Sequence, residues 1–375
     1  MRKFLLILIA FIGSAMTVFA TDYAYNSKGG LFVTWNSNDV VGLYTVSGTR
    51  IRTTVKSIET SNRHEVTLTG NGWTLTSNSQ YYGYYPYSSS YQLNGNVMTA
   101  LPVSYTDQTQ TANGNLAHLA AYDYMVAQTA TTETEANFTF AHYGSIIRFA
   151  CYVPATTTFS SLSLTSKAEN AIFTTEASMN LTNQTITSTA KNKTATLTLN
   201  NITVAAGDSL IAYMMLPPTD LSGKSLILSL NATDGSALQT YISGANTQAG
   251  KVYPVSIGQE NYFKLSATST DDDSHEEVLS LPVGLEEKKT TAQITTATAY
   301  ATDFMPDTEN EMRPFLLGDV NFDGKVNVTD VVIVTNHYLK DTTNELDLNV
   351  SDINGDNKIN VTDVIGITNI YLCTE

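Results

Sequence analysis

NFTFAHYGSIIRFACYV, residues Asn137–Val153, sets the reading of most of this chain. Two short runs rich in aromatic and β-branched residues meet at Gly144, the composition of strands rather than of a helix. Similar runs recur on both sides: LFVTW from Leu31, EVTLTG from Glu65, LSLTS from Leu162, TATLTLNNITV from Thr194 and SLILSLNATDG from Ser225. Gly, Asn, Asp and Ser punctuate them, and no useful helical period appears before the C-terminal region. Antiparallel β-sandwiches follow from this pattern. About 230 residues are too many for one sandwich, so the polar stretch Thr131–Ala136 divides the region into residues 21–134 and 135–258.

The chain has 375 residues, 42% of them hydrophobic, and a net charge of −15. Residues 1–259 carry 13 acidic and 13 basic groups, so the whole excess lies in the last 116 residues. No cationic stripe is available for phosphates, which argues against a nucleic-acid partner. Residues 259–312 hold the acidic clusters Asp271–Asp273 and Glu276–Glu277 and a Thr/Ala-rich run. They read as an acidic linker that would span roughly 40 Å as a flexible coil.

The first 20 residues place Arg2 and Lys3 before an apolar run that ends in Val18-Phe19-Ala20. This is the pattern of a cleavable export signal, with a mature chain beginning at Thr21. No later segment reaches 18 apolar residues, so no transmembrane segment is expected in the mature chain. No Cys lies near the signal to accept a lipid. Cys151 and Cys373 are the only cysteines and are not expected to pair; Cys151 reads as a buried small hydrophobe.

Past the linker, residues 313–375 contain one pattern twice: DVNFDGKVNVTD at Asp319–Asp330 and DINGDNKINVTD at Asp352–Asp363, starting 33 residues apart. Each copy sets oxygen-bearing side chains at loop positions 1, 3, 5, 9 and 12, the alternation by which a chain wraps a hard cation. Two Ca2+ sites are expected. Asp319, Asn321, Asp323 and Asp330 would serve the first, with Lys325 offering its carbonyl and Asn327 reaching the ion through water. Asp352, Asn354, Asp356 and Asp363 would serve the second, with Lys358 and Asn360 in the corresponding roles. Position 6, which needs a left-handed backbone, is Gly324 in one copy and Asn357 in the other. Both loops end in Asp where an ordinary EF-hand has Glu, and each runs into a short apolar stretch, VVIVTNHYL or VIGITNIYL.

That combination over Leu317–Leu372 resembles the dockerin domain, a small all-α calcium-binding module with duplicated EF-hand-like loops. The resemblance implies a cohesin-type protein as partner. Carried onto this chain, the contact residues would be Val328, Thr329, Thr335, Asn336 and Lys340 in the first copy, and Val361, Thr362, Thr368 and Asn369 in the second. The near identity of the copies would let either one present the face. The apolar positions Val331, Ile333, Val334, Tyr338 and Leu339, with Val364, Ile365, Ile367, Tyr371 and Leu372, would pack the helices together.

The β region is similar to the fimbrillin-like proteins. The similarity lies in YYGYYPYS (Tyr81–Ser88), AHLAAYDYMVAQ (Ala117–Gln128), NFTFAHYGSIIRF (Asn137–Phe149), VAAGDSLIAYMMLPPTDLSGKSL (Val204–Leu226) and AGKVYPVSI (Ala249–Ile257). It implies two tandem transthyretin-like sandwiches used in surface adhesion and fimbria assembly, with other fimbrial subunits or surface glycans as further partners. One departure is that Ala20 ends the signal where many such precursors carry a lipid-accepting Cys.

The remaining candidates are structural first. Tyr81, Tyr82, Tyr84, Tyr85, Tyr87 and Tyr91 could stack on sugar, yet core packing is the stronger reading; strand alternation would set Tyr82 and Tyr84 on one face and Tyr81, Tyr85 and Tyr87 on the other. His142 reads as a satisfied histidine at a strand edge. No nucleophile elbow, zinc helix or phosphate loop occurs. The expectation is therefore a non-enzymatic, secreted surface adhesin or fimbria-like protein with a calcium-folded docking end. The alternative is a carbohydrate-binding component of a polysaccharide-degrading assembly, and a dockerin-bearing hydrolase is a third reading.

Overall fold

A computed structural model of the chain describes residues 22–26, 28–37, 39–46, 49–59, 62–70, 73–88, 100–132, 134–168, 170–262, 293–294, 297–321, 325–339, 346–356 and 358–373. The export signal, the acidic clusters at 271–277, Tyr91, Asp323, Gly324, Lys340 and Asn357 lie outside these residues. In chain order the strands are β1 (Asp22–Tyr25), β2 (Leu31–Thr34), β3 (Val40–Thr45), β4 (Arg50–Glu59), β5 (Asn62–Thr69), β6 (Leu75–Thr76), β7 (Gln80–Tyr85) and β8 (Leu101–Ser104). Then come β9 (Thr109–Gln110), β10 (Met125–Ala130), β11 (Asn137–His142), β12 (Ser145–Tyr152), β13 (Thr157–Ser166), β14 (Phe173–Asn180), β15 (Thr185–Asn192) and β16 (Thr194–Val204). The last are β17 (Ser209–Leu216), β18 (Ser225–Ala232), β19 (Ala237–Ser243), β20 (Lys251–Ile257), β21 (Gln293–Ile294), β22 (Ala297–Ala301), β23 (Met305–Pro306) and β24 (Pro314–Phe315). Three helices follow: α1 (Val328–Tyr338), α2 (Leu348–Ser351) and α3 (Val361–Cys373). The chain is mainly β, with its helices gathered at the C-terminus.

Seven strands close into a barrel in the order β10-β11-β22-β5-β4-β3-β7. The N-terminal unit is thus a hydrogen-bonded barrel, where the sequence suggested a two-sheet sandwich. In β11 the residues Phe138, Phe140 and His142 point inward and their neighbours outward, the period of two that a half-buried strand requires. Trp35 meets Tyr85 and Phe140 edge to face, with ring centres 5.4 and 5.6 Å apart. Gly42 is glycine because the Tyr84 ring lies where its side chain would begin.

The second unit packs a four-stranded sheet, β17-β12-β20-β23, against a six-stranded one, β24-β19-β18-β13-β16-β9. Strand β17 shows why its run LIAYMML lacks polar alternation. Leu210, Ala212, Met214 and Leu216 enter the second core, while Tyr213 and Met215 enter the barrel's core. A sheet covered on both faces reads as a continuous apolar run. Strand β12 divides likewise, with Ile146 in the first core and Ile147, Phe149 and Cys151 in the second. The two units therefore share a wall.

The free edge of β17 is closed by side chains. Met215 N donates to Gln108 Oε1 (2.8 Å), and Gln108 Nε2 returns a bond to Met215 O (2.7 Å). Gln110 repeats this with Tyr213 N (3.0 Å) and Ile211 O (2.8 Å), and Asn113 with Ile211 N (2.6 Å) and Ser209 O (3.1 Å). Each amide mimics one peptide unit of a missing strand. An edge satisfied in this way is a poor template for pairing with another chain.

Two boundaries differ from the sequence reading. The barrel continues to His142, past residue 134, while β8 and β9, from before that point, pair with β14 and β16. More consequentially, the described end of the expected linker is built into both units. Strand β22 runs parallel to β11 and antiparallel to β5, with Ala297, Ala299 and Ala301 facing inward. These small side chains sit in register beside Phe138 and Phe140, whose rings fill the space. Phe304 is fully buried and exchanges backbone hydrogen bonds with Leu31 (3.0 and 3.1 Å). Strand β23 then joins β20, Met312 enters the second core, and β24 joins β19.

His142 holds three of these pieces together. Its Nδ1 lies 2.7 Å from Asp123 Oδ1, its Nε2 2.6 Å from the carbonyl of Thr302, and its ring stacks on Phe304 at 3.8 Å. The second oxygen of Asp123 accepts the Tyr23 hydroxyl at 2.6 Å. This histidine is a satisfied core residue that ties β1 and the segment after β22 to β11.

Candidate metal centre and docking face

Helix α1 begins with Asn327 as its N-cap. The Asn327 side chain accepts from Thr329 N (2.7 Å), and Asp330, the third helical residue, accepts from Asn327 N (2.9 Å), a reciprocal capping box. The other Asp330 oxygen accepts from Val320 N (2.9 Å) and Asn321 N (3.3 Å), which folds the loop start back over the helix start. The second copy repeats the geometry. Asp363 accepts from Asn360 N and Ile353 N, both at 2.9 Å, and Asn360 accepts from Thr362 N at 2.9 Å. The last residue of each loop thus has a dual role, as helix cap and as candidate ligand.

Within the second loop, Asp352 Oδ1 accepts from Gly355 N (2.8 Å) and Asp356 N (3.2 Å), so the chain curls around its first carboxylate. Asp356 accepts from Lys358 N at 2.9 Å, while the amide of Asn354 donates to Asp356 at 3.1 Å. Gly355, at loop position 4, takes a φ of +75°. That turn was not anticipated; the signal for it was a glycine one residue before an Asp in a tight loop. Position 6 of both copies lies outside the described residues.

Carboxylate oxygens of Asp352, Asp356 and Asp363 come within 4.8 Å of one another. Asp352 and Asp363 are buried, as are their counterparts Asp319 and Asp330. Like charges gathered out of water repel by a few kcal/mol per pair. The donor set is all oxygen, flexible in shape and strongly anionic, which suits a hard divalent cation such as calcium far better than a soft metal. In the first copy Asp319, Asn321, Lys325, Asn327 and Asp330 are the described residues at loop positions 1, 3, 7, 9 and 12.

The expected docking residues divide by exposure. Val328, Thr329, Val361, Thr362 and Asn369 are exposed; Thr335, Asn336 and Thr368 are half-buried. Thr335 and Thr368 donate their hydroxyls to Val331 O and Val364 O, both at 2.7 Å, within their own helices. Of the residues expected to pack the helices, Val334 and Ile367 are buried, and Val331, Ile333 and Val364 lie against them. Tyr338, Leu339, Ile365 and Leu372 are exposed instead. A helix this short has one inward stripe, and these positions fall outside it. Together with Val332 they form a duplicated apolar stripe: Val328, Val332 and Leu339 on α1 and its end, matched 33 residues on by Val361, Ile365 and Leu372 on α3.

The tyrosine cluster is core. Tyr81, Tyr84 and Tyr85 are buried, which the simple face alternation did not anticipate, and Tyr82 and Tyr87 are half-buried. Tyr84 stacks on Tyr44 at 5.3 Å, and the Tyr85 hydroxyl donates to Asp39 at 3.1 Å. Cys151 is buried, and desolvation raises its thiol pKa, which makes it an inert packing residue.

Comparison with known proteins follows the same division. Residues 24–271 match the fimbrillin-like family. The chain belongs to the fimbrillin-like family. Residues 317–370 match the dockerin type I domain, so this fimbrillin-like chain carries a dockerin at its C-terminus. The fimbrillin-like match ends before β22, the strand that completes the barrel. Among solved structures, a candidate cell adhesion protein from Bacteroides ovatus is 18% identical, with 66% of this chain and 93% of that one covered and a TM-score of 0.41. Another from Bacteroides fragilis is 13% identical, covering 70% and 88%, with a TM-score of 0.35. A third, from Bacteroides thetaiotaomicron, is 10% identical, covering 63% and 88%, with a TM-score of 0.33. No curated protein matches the sequence. Neither matched family is catalytic. Among the described residues, no helix is long and apolar enough to cross a membrane.

Proposed function

We propose that this chain is an exported surface adhesin or fimbria-like structural protein whose dockerin binds two calcium ions and docks onto a cohesin-type partner. The observation that carries the reading is the convergence of Asp352, Asp356 and Asp363 under a helix whose outer stripe is apolar and duplicated. Calcium would act structurally: it neutralises carboxylates that otherwise repel, so that metal binding and folding of the module are coupled. The stripe of Val328, Val332 and Leu339, or its twin on α3, would then form the centre of the contact, with Thr329, Asn336, Thr362 and Asn369 at its rim. We read the two β units as the family's tandem transthyretin-like domains, the first of them closed into a barrel and the second kept as two packed sheets. The sugar-binding alternative has less support, because Tyr84 and Tyr85 are buried. Affinity capture from a surface-protein extract, with the mature chain as bait, tests the proposal. Recovery of a cohesin-bearing protein in calcium and its loss in chelator is the expected result; capture indifferent to calcium would refute it.

A further inference from the structure

Lys167 leaves the second unit one residue beyond β13 and reaches into the module. Its own amide is fixed on the second unit, donating to Ser225 O at 2.9 Å. Its Nζ donates to the main-chain carbonyl of Asp352, the first residue of the second loop, at 2.7 Å. The ammonium also lies 5.8 Å from the centre of the Tyr241 ring, which stacks on Phe315 at 5.7 Å. Phe315 pairs with Tyr241 in β24 and β19, and only Leu316, Leu317 and Gly318 separate it from Asp319, where the first loop begins. Gly318 N donates to Val350 O at 2.8 Å, two residues before Asp352. The module is thus held to the second unit by a three-residue connection and by Lys167.

The charges acting on Lys167 are those of Asp352 and Asp363, two of the three carboxylates that converge in the second loop. Burial disfavours its ammonium, and the two carboxylates oppose that effect. The Asp352 carbonyl and the Tyr241 face replace part of its lost water. A lysine so placed does not occupy the ion's position, since its hydrogen bond goes to the main chain of Asp352. It does supply positive charge to the same cluster that a divalent cation would neutralise.

We propose that Lys167 is a built-in counter-cation of the second loop, which makes the two calcium sites unequal. Without calcium it holds the second loop formed and seated on the second unit, while the first loop depends on the ion. With calcium it lies beside a second positive charge, and a group that stabilises the empty state more than the filled one lowers the affinity. The second site is therefore the weaker and the better preformed. This rests on the calcium reading of the loops.

Calcium titration by calorimetry and hydrogen exchange measured by mass spectrometry, both on the full mature chain, test the assignment. Lys167→Met keeps the aliphatic stem over Tyr241 and removes the charge; Lys167→Arg keeps the charge. The wild type should show two unequal sites. Lys167→Met should tighten the weaker site about tenfold, the scale of one unit charge near a divalent ion in a half-exposed setting. The stronger site should be unchanged, and Lys167→Arg should stay close to wild type. In chelator, Lys167→Met should speed amide exchange over residues 346–356 about tenfold, and saturating calcium should abolish that difference. A merely structural lysine would weaken the second site or leave both alone, and either result overturns the proposal. Absence of any calcium binding by the wild type would instead remove the calcium reading, and this inference with it.

Discussion

Whereas the β body buries Trp35, Phe140, Phe149, Phe159 and some sixty other apolar side chains in two continuous cores, the described part of the module buries only Val320, Val334, Val350 and Ile367. Alongside those four it buries as many carboxylates, Asp319, Asp330, Asp352 and Asp363. A core that small falls well short of offsetting the conformational entropy of a module this size. The body is stable by burial alone, and the module needs a ligand for its charges.

The largest effect expected from this contrast is on chelation. Removing calcium should abolish the helical circular dichroism of α1 and weaken that of α3, whose preceding loop Lys167 holds in place, while the near-ultraviolet signal of the tyrosine-rich body persists. A single unfolding transition that shifts as a whole with calcium would break the comparison. Next in size, Asp330→Ala or Asp363→Ala removes a buried carboxylate that accepts main-chain amides from both ends of its loop. Each should eliminate one calcium equivalent in a titration and leave the melting of the body unaltered.

The converse changes belong to the body. Phe304→Ala empties a fully buried site between β2 and the segment after β22, and should cost about 3–5 kcal/mol in denaturant unfolding of the body. Calcium stoichiometry should be retained. Gln110→Ala strips the edge of β17 of two backbone partners, Tyr213 N and Ile211 O. It should cost about 1–3 kcal/mol and increase self-association seen by light scattering, since the unpaired edge becomes available.

Much of this contrast is legible in the sequence. The loops announce themselves through spacing, because coordination by oxygen needs residues at fixed offsets, and the strands announce themselves through composition. The role of β22 is hidden for a physical reason: ATAYA offers only alanines to the core, and their large partners Phe138 and Phe140 stand some 160 residues earlier. A segment read as linker because it is poor in large apolar residues turns out to be the small half of a complementary pair. Gln108, Gln110 and Asn113 are hidden in the same way, since a polar side chain that replaces a strand has no periodicity of its own. The exposure of Leu339 and Leu372 is hidden as well, because apolar residues on a short helix do not declare which stripe faces inward.

The smallest expected effect concerns the seam where the body passes into the module. Asp307 is desolvated, which works against its ionisation, yet the Tyr253 hydroxyl (2.7 Å) and the amides of Asn310 (3.0 Å) and Glu309 (2.9 Å) outweigh that and hold its pKa below the ordinary carboxylate value. The folded chain therefore binds fewer protons at Asp307 than the unfolded chain does near pH 4. Its stabilising contribution is complete above that range and is lost as the pH falls through the depressed folded value. Asp307→Asn keeps the shape and abolishes the titration, so the difference in body stability between variant and wild type should shrink on acidification from pH 6 towards pH 3, at about those limits. Because Asp307 joins β20 to the chain just after β23, the shrinkage should appear in the unfolding of the body, in chelator as well as in calcium. A pH-dependent difference seen only when calcium is present would place Asp307 with the module instead, and move the border between the two kinds of stability upstream of β24.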